Sequence, residues 1–84
     1  EMTPDTIVKA LSENRTIPIR QPFEATIKCS RVAGEQRYEI VGAPVDQLPW
    51  LKSVGCFTEI IAFRTRVFIP RRAASVIIGA LLRV

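Results

Sequence analysis

Apolar and polar residues alternate with a period of two through Phe23, Ala25, Ile27 and Cys29, with Glu24, Thr26, Lys28 and Ser30 between them. That period places every second side chain against a core, which is the pattern of a half-buried strand. Ala33-Gly34-Glu35-Gln36 carries the glycine a turn wants; Tyr38 and Ile40 then alternate with Arg37 and Glu39 until Gly42 and Pro44 stop the run. A hairpin over residues 23–43 is therefore expected. Residues 58–69 form a second extended stretch, rich in branched and aromatic side chains, and read as one long strand. Ile61, Phe63, Thr65, Val67 and Ile69 would share one side of it, and Ile60, Ala62, Arg64, Arg66 and Phe68 the other.

Elsewhere the apolar spacing is helical. Thr3-Pro4-Asp5 starts a helix, because Thr3 caps, Pro4 suits the first helical position and Asp5 meets the positive end of the dipole. Ile7, Val8 and Leu11 then give one apolar stripe, predicting an amphipathic helix over residues 4–13 with Asn14 ending it. Pro18 and Pro22 hold the following stretch extended and outside any central ladder. Val45–Leu51 predicts a short middle helix with Asp46 as its cap, constrained by Pro49 and closed by Gly55 in a left-handed conformation. Pro70 ends the long strand, and Arg71–Val84 suits a terminal helix bearing Ala73, Ala74, Ile77, Ile78, Leu81 and Leu82. A helix apolar around most of its circumference is either the centre of a core or the seam of an oligomer. With Val76 and Val84 added, the surface exceeds what one small sheet would cover, so a homodimer through this helix or through an edge strand is expected. The fold class is α+β: a small, mostly antiparallel sheet packed by an N-terminal, a short middle and a C-terminal helix, in a single domain over residues 1–84.

Length and composition sharpen this picture. Eighty-four residues enclose one core, and 48% apolar with 24% charged residues is the balance of a folding chain. No run approaches the roughly 20 apolar residues that span a bilayer, and no basic-then-apolar leader opens the chain, so a soluble, cytoplasmic protein without membrane contact is expected. The Glu1-Met2 opening reads as a boundary, with Met2 as initiator. Cys29 and Cys56 follow apolar patterns and read as buried free thiols in a reducing compartment.

The candidate chemistry is chiefly that of binding. Histidine is absent, which removes the imidazole of the usual triads and of most zinc sites, and no P-loop, dinucleotide fingerprint or acidic metal cluster is present. Glu24, Glu39 and Glu59 fall at outward strand positions, as solvated or cross-strand charges. The expectation is a protein that is not an enzyme and uses no cofactor and no metal.

Nine of the twelve cations are arginine, whose flat donor fork suits phosphate. Arg64, Arg66, Arg71 and Arg72 fall within nine positions, two on one side of a strand and two at a helix start, where free N–H groups already favour anions. Phe68 shares the side of Arg64 and Arg66, which would let a base stack beside the phosphates, with Arg37 in support. The leading function is thus DNA or RNA binding, in regulation of gene expression or nucleic-acid processing. The same arginines also fit a plainer role, keeping a sheet soluble or pairing with Glu24, Glu39 or Glu59. In that case the domain is a protein-interaction or assembly module that meets its partner through the terminal helix and Trp50. Trp50 equally suits a plug between middle helix and sheet, and Gly79 permits a close helix contact.

Overall fold

The computed structural model describes residues 3–83. Glu1, Met2 and Val84 lie outside them, and with them the expectations placed on the Glu1-Met2 opening and on Val84. In chain order the elements are α1 (Pro4–Ser12), β1 (Ile17–Ile19), β2 (Ala25–Val32), β3 (Glu35–Val41), α2 (Leu48–Ser53), β4 (Phe57–Ile61), β5 (Arg64–Ile69) and α3 (Ala74–Arg83). The strands form one antiparallel sheet in the order β1-β2-β3-β5-β4. This is the expected α+β architecture, with one correction of substance.

Residues 58–69 are not one strand. The run folds back at Ala62-Phe63 into the β4–β5 hairpin, pairing Ile61 with Arg64, Ile60 with Thr65 and Glu59 with Arg66. Both turn residues have positive φ, 52° at Ala62 and 64° at Phe63, the geometry of the primed turns that match strand twist. Those turns favour Asn-Gly, and a side chain in the left-handed region costs on the order of 1 kcal/mol per residue. No glycine, asparagine or proline marks the reversal, which is why a continuous strand is the natural reading of the residues. Folding back also exchanges two side chains: Ile61 lies with Arg64 and Ile60 with Thr65, the reverse of their expected sides. The β2–β3 hairpin turns in the same way at Ala33 (φ 50°) and Gly34 (φ 80°), where glycine relieves half of the strain.

At α1, Thr3 and Thr6 cap each other reciprocally: the Thr3 N–H donates to Thr6 Oγ1 (2.8 Å) and the Thr6 N–H to Thr3 Oγ1 (3.2 Å). The helix stops at Ser12, and Asn14 takes φ 66° just beyond it. Pro18 sits in β1, an edge strand, where its missing donor harms no central ladder. The middle helix begins through a 3-10 turn at Val45–Gln47, and no side chain caps it, so Asp46 does not play the expected role. Gly55 does close it, at φ 116°; a methyl group there would meet Ile77 Cδ1 at 2.9 Å.

Ile7, Leu11, Ile27, Ile40, Leu51, Val67, Ile77, Ile78 and Leu81 form one buried cluster between the helices and one face of the sheet. The terminal helix is consumed by this core: Ala74, Ile77, Ile78 and Leu81 are buried and Leu82 partly so, while Val76 remains outside. Its other flank is taken by α1, since Gly79 lets Pro4 approach to where a Cβ would stand 3.3 Å from Pro4 Cγ, and Ser75 donates to Asp5 (2.7 Å). The premise for self-association through this helix, excess apolar surface, is therefore not met among the described residues. Trp50 is half-buried and meets Phe23 edge-on at 5.9 Å, as a plug beside the core. Cys29 and Cys56 are both free thiols; Cys56 is buried, and burial pushes its pKa up to about 11. No helix of the described residues is long and apolar enough to cross a membrane.

Candidate nucleic-acid interface

The face of the sheet opposite the core carries the charges. Cross-strand register sets Glu39 beside Phe68 and Phe68 beside Phe57, with Arg66 and Glu59 in the next row. Phe68 is 0% exposed. The guanidinium carbons of Arg37 and Arg66 lie 4.9 and 5.5 Å from its ring centroid, and Phe57 packs at 5.8 Å. This corrects the expected role of Phe68: a ring roofed by two arginines has no face to offer a base.

The two roofing arginines are themselves held. Arg66 forks onto Glu39 through Nε (2.7 Å to Oε2) and Nη2 (2.7 Å to Oε1), and Ser30 Oγ donates to the same carboxylate. Glu39 is 6% exposed and paired with Arg66, so of the two roles expected for it, solvated or cross-strand charge, it takes the second, as a buried anchor. Its pKa lies below the usual carboxylate range, lowered first by the hydrogen bonds from Arg66, against burial, and further by Ser30 and Lys28. Arg66 is correspondingly raised by Glu39. Arg37 is raised chiefly by Glu59, whose Oε2 stands 2.8 Å from Nη1, while its Nε reaches Glu35 at 3.3 Å.

Thus the structure brings Arg37, Arg66 and Phe68 together, but as a charged lid. It separates the remaining three. At about 3.3 Å per residue the run from Arg64 to Arg71 spans roughly 20 Å, placing Arg64 beside the β4–β5 turn and Arg71 and Arg72 beyond the far end of β5. Arg71 and Arg72 occupy a 3-10 turn (Arg71–Ala73) ahead of α3, not its first α-helical turn. Arg71 reaches only the Gln36 carbonyl, at 3.5 Å, and among the described residues Arg64 and Arg72 have no ion-pair partner.

Arg64 borders a concavity that the residue pattern did not disclose. β3 and β5 pair only at Tyr38–Ile40 with Val67–Ile69; beyond that, Val41–Ala43 and Arg64–Arg66 part. The opening holds about 310 Å³ and is lined by Lys28, Glu39, Gly42, Arg64 and Arg66 among others. Its single carboxylate is hydrogen-bonded by Arg66 and Ser30 and faces Lys28 across the strands, so three cations stand against one anion and the cleft is net positive, with Lys28 and Arg64 outside any ion pair among the described residues. Lys28 was legible only as a polar strand position, because its place in the cleft depends on two hairpins splaying apart. Phe63 and Ile60 were also missed: the turn leaves Phe63 at 102% and Ile60 at 78% exposure.

No protein-family model, no curated protein and no solved structure matches this chain. The functional reading accordingly rests on the geometry of these side chains.

Proposed function

We propose that this is a non-catalytic nucleic-acid-binding domain, regulatory in role, that seats phosphates in the cleft between its two hairpins. Lys28 and Arg64 make the contacts at the cleft, and Arg71 and Arg72 bind the backbone further along. Arg66, Arg37 and Phe68 shape the surface instead of contacting bases. The observation that carries the reading is the charge of the cleft: three cations stand against one carboxylate, which is hydrogen-bonded by Arg66. The engagement of Glu39 and Glu59 in ion pairs supports a binding role over acid–base chemistry. DNA and RNA share the phosphate chemistry involved, and two free thiols suit a reducing, cytoplasmic setting.

The test is titration of mixed-sequence DNA and RNA at several salt concentrations. Counterion release requires affinity to fall with salt at roughly 0.7 to 0.9 of a log unit per phosphate contact, and Arg64→Ala or Lys28→Ala should each remove about one contact. No measurable affinity at low salt defeats the reading.

A second reading, an assembly module, is favoured by one observation: the two sheet edges differ. β1 is short and blocked by Pro18, whereas β4 (Phe57-Thr58-Glu59-Ile60-Ile61) is free of proline and rich in branched residues, a ready edge for pairing with a second copy. Solution mass measured beside the titration separates the two.

A further inference from the structure

The tip of the β4–β5 hairpin is built against the preferences of its own turn. Gly34 serves the equivalent position of the other hairpin, where a side chain would meet open space but strained backbone. At the β4–β5 tip that position is Phe63, in the same left-handed conformation and fully exposed. Asn-Gly would form the turn more readily and remove an apolar ring from water. Neither folding nor packing accounts for the ring, since it contributes nothing to the core cluster.

What surrounds the ring points to its use. Arg64 follows it directly and is exposed, and the cationic cleft with Lys28 opens beside Arg64. An aromatic ring with both faces free, next to a net positive cleft, is the combination by which proteins hold single-stranded nucleic acid: bases stack and phosphates pair. We propose that Phe63 is a base-stacking residue, receiving one unstacked base of a single strand whose neighbouring phosphates lie on Arg64 and Lys28. A duplex would first have to be unstacked to admit the ring, and so small a set of free cations offers little to offset that. A bilayer would want several apolar side chains entering together, whereas here Phe63 is followed at once by Arg64 and Thr65, and Ile60 stands across the ladder from Thr65. The inference rests on the nucleic-acid reading above and names the residue that touches the base.

The experiment replaces Ala62-Phe63 by Asn-Gly, a change that eases the turn and leaves the fold at least as stable in thermal unfolding, with Phe63→Trp as the conservative partner. Binding is measured to a mixed-sequence single strand of about 20 nucleotides carrying the fluorescent base analogue aminopurine. Expected is an affinity loss of roughly ten-fold or more in Asn-Gly, with loss of the fluorescence change and an unaltered salt slope, and retention of binding in Phe63→Trp. If the wild type binds and the Asn-Gly variant binds equally with the same fluorescence change, the stacking role is overturned while the nucleic-acid reading stands. If the wild type shows no affinity for the strand at low salt, both fall. Wild-type binding to vesicles of equal phosphatidylcholine and phosphatidylserine, lost in Asn-Gly and without strand binding, would make the tip a membrane contact instead.

Discussion

Beneath the helices, Ile27, Ile40 and Val67 lie side by side across three strands and are buried with Leu11, Leu51 and Ile78. On the opposite face Phe68 is buried as completely, but its roof consists of the guanidinium groups of Arg37 and Arg66 with Phe57 beside them. The first face excludes water by apolar packing from separate elements. The second does so with charged side chains of the sheet itself, each fixed by a carboxylate across the strands. The difference shows that density of arginine along a chain is a poor guide to free positive charge. Arg66 and Arg64 are two residues apart on the same side of β5, yet one is bound to Glu39 and the other is available.

Unfolding measurements on variants of both faces test this difference. The largest effect is expected from truncating the two buried centres. Ile78→Ala should lose about 2–5 kcal/mol and Phe68→Ala about 3–5 kcal/mol in urea unfolding. A cost below about 1 kcal/mol for Phe68→Ala would show that the arginine roof collapses at no loss, and that the open face is no second core.

Glu39→Gln comes next, at about 1–3 kcal/mol, because it keeps the shape while depriving Arg66 of its counter-charge. It also tests the pH dependence. The Glu39 carboxyl titrates below its ordinary range when folded, so the folded state binds fewer protons than the unfolded state does. The resulting stability is fully present above the unfolded carboxylate value and is lost as pH falls through the folded one. The acid limb of the wild-type stability curve should therefore flatten in Glu39→Gln, and an unchanged limb would remove Glu39 from that account.

The smallest effect belongs to Arg64→Ala, within about 0.5 kcal/mol by the same unfolding assay, since nothing in the fold depends on this side chain. A larger loss would mean that Arg64, like Arg66, is tied into the fold and is not free to meet a ligand.

Much of the fold was legible in the sequence because its signals are local. The cap at Thr3 and Pro4, the alternation from Ala25 to Cys29, the glycine at Gly34 and the stop at Pro70 each act within a few residues. The turn at Ala62-Phe63 was not legible, because its residues oppose the conformation that they adopt and only the pairing of the whole sheet imposes it. The site suffered more. Whether Glu39 faces Arg66 depends on the register between β3 and β5, two strands separated by α2 and β4. Alternation gave the correct side for Arg64, Arg66 and Phe68 within β5, but not which arginine finds a carboxylate.

The narrow join between the hairpins has a consequence in time as well as in space. β2 and β3 are paired at seven positions and β4 and β5 at five, all across short turns, whereas β3 and β5 meet at three. Hairpins close locally in about 1–10 μs, but the β3–β5 ladder must bring together residues far apart along the chain, at a loop-closure cost paid before any contact is gained. Docking of the two hairpins is therefore expected to set the folding rate: Phe68→Ala and Glu39→Gln, at the seam, should slow refolding in stopped-flow measurements, while Arg64→Ala should leave it unchanged.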